Sequence, residues 1–324
     1  MKRLPVMAAP YQYIEKSFKE WLEILGYSWQ TVYYMPIQIR GLLNHLEKQH
    51  KSQLTDITTE AIKEYYHNEL KQRKNYMSGT GALSNTHLNK HIQALRKFTE
   101  YLRQTGKLPI NILNLSLEKV TEERLTVLTE EEIKQLYKAT QTIQQQKKYN
   151  RSVELYEAIQ QRDRAMLSIF YGCGLRRNEG CCINVNDINI SSGVLHVIKG
   201  KGYKERLVPI SSKGLEHISN YLYDGRNYLL KENKEEAFFI SSNNGKRLGG
   251  QLMLVKLQQL IRLTGNTALI EKEVGLHTLR HSIATHLLAN GMSLEKIKDF
   301  LGHSSMDSTQ IYTHLINEKD NEQV

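Results

Sequence analysis

The chain has 324 residues, enough for two domains of ordinary size, each with its own core. Lys and Arg number 44 against 34 Asp and Glu, a formal net charge of +10, which suits a polyanionic partner because each neutralised phosphate releases counterions; a solvated basic face would account for the charge equally well. No apolar run approaches the roughly 18–20 residues of a membrane helix.

The opening Met1-Lys2-Arg3-Leu4-Pro5 is basic, with no apolar stretch behind it, so a secretory leader is not expected. Cys173, Cys181 and Cys182 form no C-x-x-C pair and suit a reducing compartment rather than a disulfide framework. A soluble, cytoplasmic protein with no membrane partner is expected.

Residues 1–106 carry four amphipathic stretches. Tyr13 to Leu25 places Phe18, Trp21, Leu22 and Leu25 at helical spacing and stops at Gly26. Trp29 to Leu46 follows. A third stretch starts near Thr58 and runs into the basic cluster Lys71, Arg73, Lys74. After the turn Ser78-Gly79-Thr80-Gly81, a fourth spans about Leu83 to Arg103. Short connections between four helices predict a small bundle, and the basic cluster marks Lys71, Arg73 and Lys74 as candidate DNA contacts.

Residues 107–127 read as a linker, because Lys107-Leu108-Pro109 breaks the fourth helix. Periodicity resumes where Thr129 and Glu132 form a capping box. Residues 128–324 are then a mixed domain, mainly α with a small β-sheet. A helix is expected over Arg162 to Tyr171. Strands are expected over Val194 to Ile198 and Arg206 to Ile210, flanking the basic hairpin turn Lys199-Gly200-Lys201-Gly202-Tyr203-Lys204, with a further strand at Phe238 to Ser241. Helices return over Gly250 to Leu263, Thr278 to Ala289, Ser293 to Leu301 and from Ser308 into the tail.

This second half holds a set of reactive groups: Gly174-Leu175-Arg176-Arg177-Asn178-Glu179, the Lys201 hairpin, His277-Thr278-Leu279-Arg280, Leu301-Gly302-His303 and Ser308-Thr309-Gln310-Ile311-Tyr312. A phosphodiester repels nucleophiles by its own charge, and more charge collects on its non-bridging oxygens as phosphorus becomes five-coordinate. Without a metal, rigid cations must meet that charge, and guanidinium groups suit because each donates two parallel hydrogen bonds. A metal site on His277, His281 and His286 is disfavoured, since Thr278 stands where an H-E-x-x-H motif needs Glu and no cysteine is near. His281 and His286 read as helix-packing residues. No cofactor is expected.

In this order and spacing the motifs resemble the tyrosine recombinase (phage integrase, Xer-like) family. The resemblance implies an N-terminal helical core-binding (SAM-like) domain over 1–106 and a tyrosine recombinase catalytic domain over 128–324. It implies Tyr312 as the nucleophile, nine residues after His303; a phenol of reference pKa near 10 needs a base or a cationic surround. It further implies Arg176 and Arg280 as phosphate clamps, His277 as proton acceptor and donor, and His303 as donor to a non-bridging oxygen. Lys201 would protonate the departing 5′ oxygen.

Where the family has a small or apolar residue, Ser, Glu and then Leu after Gly-Leu-Arg, this chain has Arg177, Asn178, Glu179 and Gly180. The motif frame selects Arg176 for the phosphate and leaves Arg177, with Lys204 and Arg206 of the hairpin, as candidate contacts to neighbouring DNA. Glu179 either orients an arginine or a histidine, or forms an ordinary salt bridge.

The family implies site-specific cutting and rejoining of double-stranded DNA through a 3′-phosphotyrosyl bond and a Holliday junction. It also implies a clamp of two domains and a homotetramer on paired sites. An accessory DNA-bending protein or partner recombinase is compatible with it. A type IB topoisomerase-like enzyme and a non-catalytic DNA-binding regulator are the competing function classes.

Overall fold

The computed structural model describes residues 4–73, 82–120, 125–142, 152–198, 205–231, 234–303 and 308–309. The chain divides between Glu123 and Arg124 into two compact units.

The first unit contains α1 (Ala9–Ile24), α2 (Trp29–Lys48), α3 (Thr59–Glu64) and α4 (Asn85–Gln104). Helix α1 begins ahead of the expected Tyr13 because Pro10 sits in its first turn, where a missing N–H costs nothing. The side chains of Ser28, Thr58 and Ser84 cap the other three, accepting from the backbone N–H of Thr31, Ala61 and His87. A wider helical turn over Tyr65–Leu70 carries α3 onward. The apolar stripes meet in one core, in which Phe18 packs edge-on against Phe98 (5.2 Å between ring centres).

The expected linker behaves differently in its first part. Ile110, Leu113 and Leu115 are buried in the first unit's core. The Glu118 carboxylate accepts from Tyr66 Oη at 2.6 Å and Lys71 Nζ at 2.8 Å. Asn89 accepts from the Glu118 N–H at 2.7 Å and donates to its carbonyl at 3.0 Å. Apolar residues at 110, 113 and 115 gave this stretch a reason to fold onto α4 that its lack of helical periodicity concealed.

The second unit starts with α5 (Glu130–Ala139), whose Thr129–Glu132 capping box forms with bonds of 3.1 and 2.8 Å. Helix α6 (Val153–Leu167) begins well before Arg162, capped by Ser152, and ends in a wider turn over Ser168–Gly172. A short α7 (Arg177–Cys182) leads into an antiparallel sheet of β1 (Ile188–Asn189), β2 (Val194–Val197) and β3 (Arg206–Pro209), in that order. Strand β2 pairs with β3 in a register that sets Val197 opposite Arg206.

Then follow α8 (Ser212–Asn220), α9 (Arg226–Leu230), α10 (Gly250–Leu263), α11 (Thr267–Glu271), α12 (Leu276–Ala289) and α13 (Leu294–Leu301). The strand expected at Phe238 to Ser241 is not one. The segment makes only an isolated bridge, Ile240 with Arg247, and Phe238, Phe239 and Ile240 are buried in succession. Its backbone bonds are scattered, from Phe238 N–H to Ile183 O, Ser241 N–H to Lys246 O and Leu248 N–H to Phe239 O, and do not build a ladder. Among the described residues no helix is long and apolar enough to cross a membrane.

Candidate active site

Three arginines distant in sequence converge on one carboxylate and one helix end. Arg176 lies at the start of α7, Arg206 on β3, and Arg280 on α12. Glu179, one turn into α7, accepts from Arg176 Nη1 at 2.7 Å and from Arg206 through two bonds of 2.9 and 3.2 Å. Arg280 Nη1 stands 3.9 Å from the same carboxylate. On their other side the guanidiniums meet the C-terminus of α13. Arg206 Nε donates to Phe300 O (3.0 Å), Arg280 Nη2 to Leu301 O (2.8 Å), and Arg176 Nη2 to Gly302 O (3.0 Å). These carbonyls have no partner within their own helix and carry the negative end of its dipole.

Two glycines make the convergence possible. Gly174 holds φ +62° and its carbonyl accepts from Arg280 Nη1 at 2.6 Å. A Cβ there would stand 2.9 Å from Leu301. Gly302 ends α13 at φ +67°, and a Cβ would meet Arg206 Cδ at 2.9 Å. Both positions lie in the left-handed region that favours glycine.

The electrostatics follow from this packing. Burial opposes ionisation of Glu179, but hydrogen bonds from Arg206 and Arg176 prevail and hold its carboxyl down at about 2. His277 occupies the first turn of α12 with its outer face exposed. Partial burial, then Arg280, Arg176 and Arg177, push it below the usual histidine range. Burial chiefly, with Arg280 and Arg176, lowers His303 to about 4, and its Nδ1 lies 2.9 Å from Thr309 Oγ1. The site thus concentrates permanent positive charge and keeps its imidazoles neutral at pH 7.

Other expected residues take different settings. Arg206, expected on DNA, is instead nearly enclosed, with a side chain 8% exposed and bonded to Glu179 and Phe300. Strand alternation carried the missed signal: Arg206 is two residues from Val208, which is fully buried, so both face inward. His281, expected to pack in its helix, is pushed to about 4 by burial, then by neighbouring His277 and Arg280.

His286 is buried with Nδ1 2.9 Å from Tyr171 Oη. Arg177 is exposed. Lys71 pairs with Glu118 at 2.8 Å and Arg73 with Glu69 at 3.2 Å. Lys74, Lys201, Lys204 and Tyr312 lie outside the described residues. Among the described residues no group of three metal-ligating side chains is assembled.

Residues 126–319 match the model of the phage integrase family. The chain belongs to that family. Among relatives of this phage integrase family member is a tyrosine recombinase XerD from Oceanobacillus iheyensis, 30% identical over 242 residues, 74% of this chain and 75% of the relative. A XerD from Halalkalibacterium halodurans is 30% identical over 261 residues, covering 80% and 78%. One from Pseudomonas putida is 41% identical over 162 residues, where the chain spans about half of the relative's length (52%).

Among solved structures, the XerH site-specific recombinase bound to palindromic difH substrate aligns with TM-score 0.68 and 21% identity, over 97% of this chain and 83% of that one. A lambda integrase dimer bound to a COC' core site aligns with TM-score 0.62 and 16% identity, over 93% and 94%. At these identities the two structures establish a shared fold.

Proposed function

We propose that this tyrosine recombinase cuts and rejoins double-stranded DNA at specific sites through a 3′-phosphotyrosyl intermediate and a Holliday junction. The observation that carries the reading is the convergence of Arg176, Arg206 and Arg280 between Glu179 and the end of α13, with His277 and His303 beside them. Guanidiniums held this way present fixed donors to phosphate oxygens, and no reorganisation is needed as charge grows. Arg176 and Arg280 clamp the scissile phosphate, and His303 adds a donor. His277, neutral and open to solvent on one face, takes the phenolic proton of Tyr312 and returns it on religation. Tyr312 attacks phosphorus, and Lys201 protonates the departing 5′ oxygen. Each phosphotyrosyl bond keeps the energy of the bond it replaced, so the cycle requires no nucleotide, metal or other cofactor.

Arg206 acts in this scheme with Glu179 as an internal brace. Lys71, Arg73, Lys74, Arg177 and Lys204 remain candidate contacts to DNA flanking the cut. The first unit serves as a core-binding domain and the second as the catalytic domain. Two paired sites hold four copies of the chain, with an accessory DNA-bending protein or second recombinase compatible with the scheme, and the setting is the cytoplasm.

The test is covalent capture on a nicked suicide substrate. The native chain should form a 3′-linked adduct, and Tyr312→Phe should bind the same DNA with little change while forming none. Affinity rests on many phosphate contacts, whereas bond formation needs one oxygen. An adduct from the Phe variant would remove Tyr312 as the nucleophile.

A further inference from the structure

We infer that Thr309 is a positioning residue: its hydroxyl donates to His303 Nδ1 and so fixes the ring as the tautomer that carries its proton on Nε2. The inference rests on the proposed use of His303 as a donor to a phosphate oxygen. It adds a control on that donor which the sequence motifs do not contain.

The argument starts from the ring. A neutral imidazole has one N–H and one lone pair, and either nitrogen can hold the proton. Only the form with hydrogen on Nε2 donates from Nε2; the other form would turn a lone pair toward a phosphate oxygen and repel it. His303 is neutral at working pH because burial and the nearby Arg280 and Arg176 disfavour a further positive charge, so tautomer choice, rather than protonation, decides whether it donates.

Nδ1 lies 2.9 Å from Thr309 Oγ1. Thr309 is completely buried. A hydroxyl that donates to Nδ1 leaves the proton on Nε2, the form the reaction requires.

The hydroxyl's place in the chain gives this bond a second consequence. Thr309 stands three residues before Tyr312, on the segment that carries the nucleophile. His303 stands just beyond α13, at the carbonyls that hold the arginines. The bond therefore ties Thr309 itself to the end of α13 at which the arginines converge.

The test compares Thr309→Val, which keeps the shape without the hydroxyl, with Thr309→Ser, which keeps the hydroxyl. Two readouts apply to the full-length chain: the ¹⁵N chemical shifts of the His303 ring nitrogens, and single-turnover cleavage of a suicide substrate at saturating protein. The native chain and the Ser variant should show an unprotonated Nδ1 and a protonated Nε2. The Val variant should show a mixture of the two forms and cleave roughly tenfold to a hundredfold more slowly with unchanged DNA affinity, at most the loss of one aimed donor.

A native ring protonated on Nδ1, or a Val variant with native shifts, would overturn the assignment. Equal slowing in Ser and Val would overturn it too, since packing rather than the hydroxyl would be responsible. A native chain that cuts no DNA would sink the functional reading instead, and the ring shifts would still decide the role of Thr309.

Discussion

Glu179 is the carboxylate on which the three arginines converge, and its protonation has a calculable effect on stability. Its folded pKa of about 2 lies below the ordinary carboxylate value of 4.5, so the unfolded chain binds the proton more tightly. The resulting stabilisation is fully present above about pH 4.5 and is lost as pH falls toward about 2, and the shift corresponds to about 3 kcal/mol. Glu179→Gln should lower unfolding free energy at pH 7 by about 3 kcal/mol or more, because it removes the charge that pairs with Arg176 and Arg206 and stands 3.9 Å from Arg280. Between pH 5 and pH 3 the gap between native and variant should narrow by about 2 kcal/mol. Denaturant unfolding across that range measures it, and a gap independent of pH would mean the carboxylate is not the group responsible. The sequence left Glu179 open between orienting an arginine or a histidine and an ordinary salt bridge. Helical spacing could bring it to Arg176 but gave no sign of Arg206, whose contact spans 27 residues and depends on the strand register.

At the scale of elements, the end of α13 organises the site, and Gly302 is what lets the helix end there. An alanine at φ +67° costs about 1–2 kcal/mol. It would also place a methyl 2.9 Å from Arg206, whose guanidinium is pinned by Glu179 and Phe300. Gly291 offers a matched control, with φ +83° and nothing within 4 Å of its added Cβ. Gly302→Ala should therefore lose at least the stability that Gly291→Ala loses by thermal unfolding, while only Gly302→Ala should lose most of its cleavage rate. Comparable cleavage in the two variants would show that the arginines do not depend on this helix end.

Helix α13 was legible because an apolar stripe and the Ser293 cap coincide. Helix α6 was cut short in the reading although Leu155, Ala158 and Ile159 already mark its first turns behind the Ser152 cap. The Phe238 to Ser241 run was misread because burial on all sides erases the alternation that marks a strand.

The whole molecule distributes its charge more evenly than the sequence suggested. Cut at residue 110, the chain divides as +7 and +3, which favours the helical half as the main electrostatic partner of DNA. The observed division at Glu123 returns Glu118, Glu122 and Glu123, together with Lys119, to the first unit, and each unit then carries a net +5. The stretch that shifts the balance is anchored by Ile110, Leu113 and Leu115, which composition alone had assigned to a linker.

Each phosphate contact contributes about −0.9 to the slope of log affinity against log salt. If both units embrace the duplex in proportion to their charge, residues 124–324 alone should bind a recombination site with about half the salt slope of the full chain. That fragment holds a core of its own, so its binding can be followed by fluorescence anisotropy between 50 and 300 mM salt, after its helical circular dichroism has been verified. A fragment slope equal to that of the intact chain would mean that the first unit adds no phosphate contacts, and its basic residues would then be a solvated surface rather than half of a clamp.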